Sequence, residues 1–205
     1  MTANSNKYII AHYVHIHQSK AERDNTPLLS SAQDLKPEEW YQQLQRPYLK
    51  FFKMDVLCRW AWIAGEYLLS DGTQALCDGM DKTRVAVVLS TNHGCIEVDK
   101  KYQESMATIP SPALFVYTLP NIMLGELCIR HGFKGEQLSL VTEAPDFDEL
   151  CFWVNDLLTH KGMDACLCGW VDAAGTSSDV CLFWITKAGN GTAFTPQNLQ
   201  QLYRL

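Results

Sequence analysis

Three stretches carry residues whose types and spacing could do chemistry. The first is LSLVTEAPDFDEL, Leu138 to Leu150, where a strand-like run, Leu138-Ser139-Leu140-Val141-Thr142, meets a helix-like start through Glu143-Ala144-Pro145. A nucleophile held at such a turn gains from the unpaired N–H groups and positive end of the helix. These lower a thiol's pKa and can hold an oxyanion. Here the turn offers Ala144, which has no nucleophilic atom, and Pro145, which lacks an N–H. The same residues suit an ordinary helix start, with Pro in the first turn and Asp146, Asp148 and Glu149 near the positive end. Locally that is the simpler reading.

The second stretch is the polar turn Ser90-Thr91-Asn92-His93-Gly94, followed by Cys95. Asn92, His93 and Cys95 offer an imidazole and a thiol. A thiol two residues past a histidine does not by itself orient base on nucleophile, and Asn and Gly are common turn residues. The third is the β-branched and aromatic run Tyr8 to Ile16, which reads as a strand. Of the histidines in and beside it, His15 and His17 share one face and His12 points the other way. A metal site there needs more partners. The eight cysteines include no CxxC pair, and Cys166-Leu167-Cys168 is only a CxC in a strand-like run. No metal or cofactor is expected.

Composition narrows the classes. Apolar residues make up 47% and charged residues 20% of the 205, which suits a folded core. A net charge of −6 advertises no phosphate-binding surface, so nucleic-acid binding is not expected. No apolar run reaches the ~18 residues a membrane span needs. The N-terminus lacks the pattern of a secretory signal, so the expected compartment is the cytoplasm. Several cysteines lie in apolar runs (DVLCRWAW, ELCIRHG, DVCLFWI) and read as small buried hydrophobes.

The elements that must position these residues follow from periodicity. Residues 18–35 read as a loop, and Lys36-Pro37-Glu38-Glu39 opens a short helix. Phe51 to Leu69 is predicted as the strongest helix. Leu57, Trp60, Ala61, Ala64 and Leu68 form its apolar face, Asp55, Arg59 and Glu66 line another, and Gly72 lies past its end. RVAVVL, Arg84 to Leu89, is apolar on both faces, as in a strand covered on both sides. Helices are predicted near Glu97 to Met106, Pro120 to Arg130 (ended by His131-Gly132), from the 138–150 junction onward, and Pro196 to Tyr203. Asp164 to Val171 and Asp179 to Ile185 read as two strands around AAGTSS. Alternating strands and helices that finish on a strand pair predict an α/β layered domain with a mixed sheet.

Beyond these patterns, SPALFVYTLPNIMLGELCIRHGFKGEQLSLVTEA, Ser111 to Ala144, resembles the β-ketoacyl synthases of the thiolase-like superfamily. Asn121 and Gly125 match that family's helix. Gly132-Phe133-Lys134-Gly135 matches its Gly-x-x-Gly-Pro turn, with Glu136 in place of Pro. Lys53-Met54-Asp55 looks like its Lys-Met-Asp helix. VAVVLSTNHG resembles its strand and glycine-rich turn, keeping only Gly94, and MDACLCGWVDA keeps Gly169 of its Gly-Gly, with Trp170 as the second residue. The resemblance is colinear over about residues 50–175.

The resemblance implies a thiolase-like half: one N-terminal-type synthase domain over residues 1–205, with 18–50 as loop and short helix. Matching through Gly-Phe-Lys-Gly places Ala144 at the family's nucleophilic cysteine. The half that carries the family's two catalytic histidines is expected to be absent. Condensation needs the thiol as acyl carrier and the histidines for decarboxylation. No condensing activity is therefore expected of this chain alone. Cys151, about two turns further on, is no substitute. The implied role is a noncatalytic subunit in fatty-acid, polyketide or aryl-polyene-type biosynthesis. It would form a homodimer, or a heterodimer with a ketosynthase, through the strand Leu138 to Thr142, with an acyl carrier protein as a further partner. Two alternatives stay open: an enzyme built around Asn92, His93 and Cys95, and a self-associating structural domain.

Overall fold

The computed structural model describes residues 7–17, 20–29, 35–70, 75–187 and 189–204. Its strands are β1 (Ile9–His17), β2 (Lys20–Arg23), β3 (Thr26–Pro27), β4 (Val85–Thr91), β5 (Gln137–Val141), β6 (Ala165–Ala174), β7 (Ser177–Thr186) and β8 (Thr192–Ala193). Its helices are α1 (Pro37–Leu44), α2 (Val56–Leu69), α3 (Ile96–Ser105), α4 (Pro112–Val116), α5 (Ile122–His131), α6 (Phe147–His160) and α7 (Pro196–Arg204). The strands form one mixed sheet in the order β3-β2-β1-β7-β6-β4-β5, with β8 also paired to β1. β4 runs parallel to β5 and β6, and the remaining pairs are antiparallel.

The sheet is covered on both faces. Along β4, Val85, Val87 and Leu89 enter the core shared with α2 and α5, while Ala86 and Val88 enter the core under α6. Every residue of β4 is buried, as its two-sided apolar run requires. On the α6 face, Cys151, Cys166, Cys168 and Cys181 sit among Val154, Leu158 and Phe183. All eight thiols are buried and free.

Several predicted boundaries move, for local reasons. Residues 20–27 form a hairpin rather than a loop. Asp24 and Asn25 take positive φ of 51° and 63°, the backbone a tight two-residue turn demands, and the Asp24 carboxylate accepts from Tyr13 N at 2.9 Å. The rest of the predicted loop (18, 19 and 30–34) and Gly72 lie outside the described residues. The helix expected from Phe51 begins only at Val56. Phe51–Lys53 form a separate 3-10 turn and Met54 is extended, with ψ 152°. Asp55 then caps α2, accepting from Leu57 N at 3.2 Å and Cys58 N at 3.0 Å, which satisfies two otherwise orphaned donors.

α2 also lacks the polar face expected of it. Trp62, Ile63 and Leu69 are fully buried beside the expected apolar set, and Glu66 is 1% exposed. α1 and the chain after it close over the helix with an aromatic stack: Tyr41 on Phe51 at 4.3 Å, Phe51 on Trp62 at 5.3 Å and Tyr48 on Trp62 at 5.5 Å. Burying each such ring contributes about 1.5–3 kcal/mol. The buried Glu66 charge is answered by Arg130, whose Nε and Nη2 lie 2.5 and 3.0 Å from its two oxygens, and by Arg46 at 3.2 Å. Burial alone raises a carboxyl's pKa. Burial is the largest single influence here too, but the Arg130 hydrogen bonds, the charges of His131 and Arg130 and the Arg46 hydrogen bond together outweigh it, and Glu66 lies below its ordinary value.

Candidate functional site

The turn between β5 and α6 is longer than a strand running directly into a helix. β5 ends at Val141, although Thr142 N still donates to Thr91 O at 3.0 Å. Asp146 is the cap of α6, accepting from Glu149 N at 2.9 Å, and the helix begins at Phe147. Pro145 therefore precedes the helix instead of occupying its first turn. Ala144 stands two residues before the cap, exposed to solvent. A cleft of about 500 Å³ opens beside it, between Thr142–Asp148 and the Pro196, Gln197 and Gln200 side of α7. Nothing that Ala144 presents to this cleft can attack an acyl group.

The turn after β4 lies alongside. Asn92 Nδ2 donates to Glu143 O at 3.0 Å, tying the two turns together. Asp172 of β6, some eighty residues away in sequence, organises the β4 turn. Its Oδ1 accepts from Thr91 Oγ1 at 3.0 Å, Asn92 N at 3.1 Å and His93 N at 2.8 Å, and its Oδ2 accepts from His93 Nδ1 at 2.7 Å. Sequence reasoning missed Asp172. The available signal was an acid inside an otherwise apolar strand.

This geometry makes His93 a clamped turn residue. It does not join His93 to the Cys95 thiol. Cys95 is 4% exposed, and burial first, with the Asp55 and Asp99 charges adding to it, pushes its thiol up to about 12. An activated cysteine has the opposite shift. The Asn92, His93 and Cys95 cluster thus lacks an accessible, acidic thiol.

His15 and His17 share one face of β1 and His12 lies on the other, as the strand period requires. His12 Nδ1 meets Asp24 at 2.7 Å. His15 Nε2 and His17 Nδ1 each lie 3.5 Å from Asp179 Oδ1, whose other oxygen accepts from Tyr203 of α7. Among the described residues no group of three or more His, Cys, Asp or Glu is placed to hold a metal ion.

The motif positions divide by what surrounds them. Gly132 ends α5 in the left-handed region, φ 75°, which a glycine reaches without strain. At Gly135 a Cβ would stand 2.4 Å from Val85 O, so the chain passes β4 only without one. Gly169 has φ 150°, and a Cβ there would meet Cys181 O at 2.1 Å. Gly125, in the middle of α5, has nothing within 4 Å of such a Cβ. Asn121 opens α5 without a side-chain cap bond and is exposed. Lys53 and Met54 lie before α2 and Asp55 is its cap, so the Lys-Met-Asp residues form a helix entry.

Among the described residues β5 is the last strand of the sheet and pairs only with β4. Glu136 O and Thr142 N both bond to β4, and a parallel ladder uses every second residue. The N–H groups of Gln137, Ser139 and Val141 therefore point away from the sheet. Val141 on the strand, Ile129 on α5 and Phe152 on α6 are 66%, 65% and 63% exposed.

The sequence matches no protein-family model and no curated protein. Its structure does match solved ones. It superposes on a chain of the ishigamide ketosynthase/chain length factor with TM-score 0.65 at 14% identity, covering 89% of this chain and 62% of that one. A second match, TM-score 0.57 at 17% identity, is to a chain of the ketosynthase (ApeO) in complex with its chain length factor (ApeC) from Xenorhabdus doucetiae; it covers 94% of this chain and 88% of that one. A third, TM-score 0.58 at 13% identity, is to a chain of AntDE:AntF, a type II polyketide synthase acyl-carrier protein in complex with its ketosynthase bound to the hexaketide. That match covers 88% of this chain and 62% of that chain. The fold is the layered thiolase-like α/β half found in ketosynthase and chain-length-factor chains. The chain spans 62% of the length of the first and third of these.

Proposed function

We propose that this chain is a noncatalytic β-ketoacyl synthase-like subunit that pairs through β5 with a ketosynthase and serves a fatty-acid, polyketide or aryl-polyene-type pathway. The observation that supports the reading is the β5–α6 turn itself: an exposed Ala144, which the sequence resemblance sets at the nucleophile position and which has no nucleophilic atom, next to an edge strand with outward N–H groups. An exposed apolar edge is a liability that a paired strand removes. Among the described residues the strand at the opposite edge, β3, is two residues long and ends on Pro27, which offers a partner little to pair with. Two of the fold relatives are described as a ketosynthase with a chain length factor, and the third as an acyl-carrier protein in complex with its ketosynthase.

Affinity capture at native expression tests this reading. Recovery of a ketosynthase, with or without an acyl carrier protein, supports it; recovery of neither contradicts it. Self-association through the same edge is the second reading, favoured by the same strand. It predicts a stable homodimer by light scattering and no ketosynthase in the capture. No helix among the described residues is long and apolar enough to cross a membrane.

A further inference from the structure

From Ser105 to Gly125 the chain carries no charged residue, in a protein whose net charge is −6. Such a run suits a buried segment. Met106, Ile109, Phe115 and Leu119 are instead more than half exposed, Ile109 at 84%. They lie at the end of α3, along α4 and just past it, where Tyr102 of α3 meets Phe115 with ring centroids 5.4 Å apart.

The turn before α2 extends the same surface. Lys50 Nζ and Tyr117 Oη reach one atom, Oε1 of the buried Glu126, at 2.9 and 3.0 Å. That shared oxygen sets the turn beside the end of α4 and neutralises the lysine between them. Leu49, 91% exposed, and Phe52, more than half exposed, flank Lys50, with Lys53 at the rim. The backbone under these side chains is held in place. Tyr48 stacks on Trp62, Phe51 lies in the core, and Ser111 caps α4, accepting from Leu114 N at 3.3 Å.

The six side chains present on the order of 700 Å² of apolar surface. That exceeds the patch a lone domain ordinarily shows and approaches the ~800 Å² each partner of a standard interface buries. Ordered backbone keeps the entropy cost of covering it low. Charge favours a second copy as the cover. Two chains of net charge −6 repel over most of their surfaces, but here they meet without acid against acid.

We propose that two copies of this chain associate through this face about a two-fold axis, α4 and the Leu49 turn of each against those of the other. A two-fold uses the same patch twice, which an uncharged apolar face permits. The face is built from other elements than the β5 edge, so the inference does not rest on the pairing reading.

Light scattering of the purified chain across a micromolar concentration series tests it. The parent should be a dimer. Ile109→Glu combined with Phe115→Glu enters the interface once from each copy, so it should weaken dimerisation about a hundredfold or more. Leu49→Glu, on the separate turn, should also weaken it, and circular dichroism should show both variants folded, since all three side chains are exposed. Ser139→Pro, on β5, should stay dimeric. A monomeric parent overturns the proposal, whether the face then binds phosphatidylglycerol vesicles or a captured ketosynthase. So does a dimer that survives either set of apolar substitutions. A dimer lost in Ser139→Pro alone places self-association at β5 and overturns it too.

Discussion

Glycines do different physical work at different places in this chain, and substitution separates them. Gly169→Ala drives a Cβ into the Cys181 carbonyl at a backbone angle that side chains rarely adopt. It should cost several kcal/mol, on the order of a severe packing or strain defect, in urea unfolding. Gly125→Ala meets nothing within 4 Å in the middle of α5. Helix propensity alone should stabilise the isolated chain by about 1 kcal/mol. If a partner helix packs against Gly125 in a complex, the same substitution weakens that complex. The thiols give a second prediction at this scale. Burial pushes Cys95, Cys128 and Cys151 up to about 12, and all eight cysteines are buried. A thiol reagent at pH 7.5 should label none quickly in the native chain and all eight after unfolding. Rapid labelling of Cys95 would revive the enzyme reading. Ala144→Cys adds a solvent-facing thiol, which should label readily yet bring no acyl condensation.

Among the elements, the joint between α2 and α5 holds the most concentrated polar chemistry. Gly65 lets the helices approach, since a Cβ there would lie 2.5 Å from Leu127 Cδ2, and Glu66, Arg130 and His131 follow on the same contact. Burial holds the His131 imidazole down at about 4, against an ordinary 6.5, despite the opposing pull of Glu66. An imidazole with a depressed folded pKa takes up its proton first in the unfolded chain. Stability is therefore intact above about 6.5 and falls as pH drops toward 4. Stability at pH 5 should be about 2 kcal/mol below that at pH 7.5 from this group alone, and His131→Gln should remove that difference. Glu66 acts in a lower window. Its depressed carboxyl adds stability above its unfolded value, lost as pH falls through the folded one.

Much at this scale was legible in the sequence: β4 from its two-sided apolar run, α5 from its closing His131-Gly132, and α6 from the helical spacing of Leu150, Val154, Leu157 and Leu158. What escaped was non-local. The break at Met54 is visible only once Asp55 is seen capping α2. The Asp172 clamp joins residues about eighty positions apart, and the Glu66–Arg130 pair joins residues 64 positions apart. No periodicity encodes either. The candidate site was found through Ala144 and the turn beside it. Its true distance from the helix start depended on Asp146, which sequence reading assigned to the helix instead of its cap.

For the whole molecule, the sheet has one short edge ending on proline and one longer edge with outward N–H groups, and this asymmetry is what the functional reading rests on. Ser139 lies on the outward register of β5, so Ser139→Pro should remove a pairing donor and leave the bonds to β4 in place. The most direct measurement is the mass, by light scattering, of this chain mixed with the ketosynthase recovered by capture, for the parent and for Ser139→Pro. A one-to-one complex in the parent that is lost in a folded Ser139→Pro chain is the predicted result. A parent that stays monomeric beside that ketosynthase, or a complex unchanged by the proline, would contradict pairing through β5.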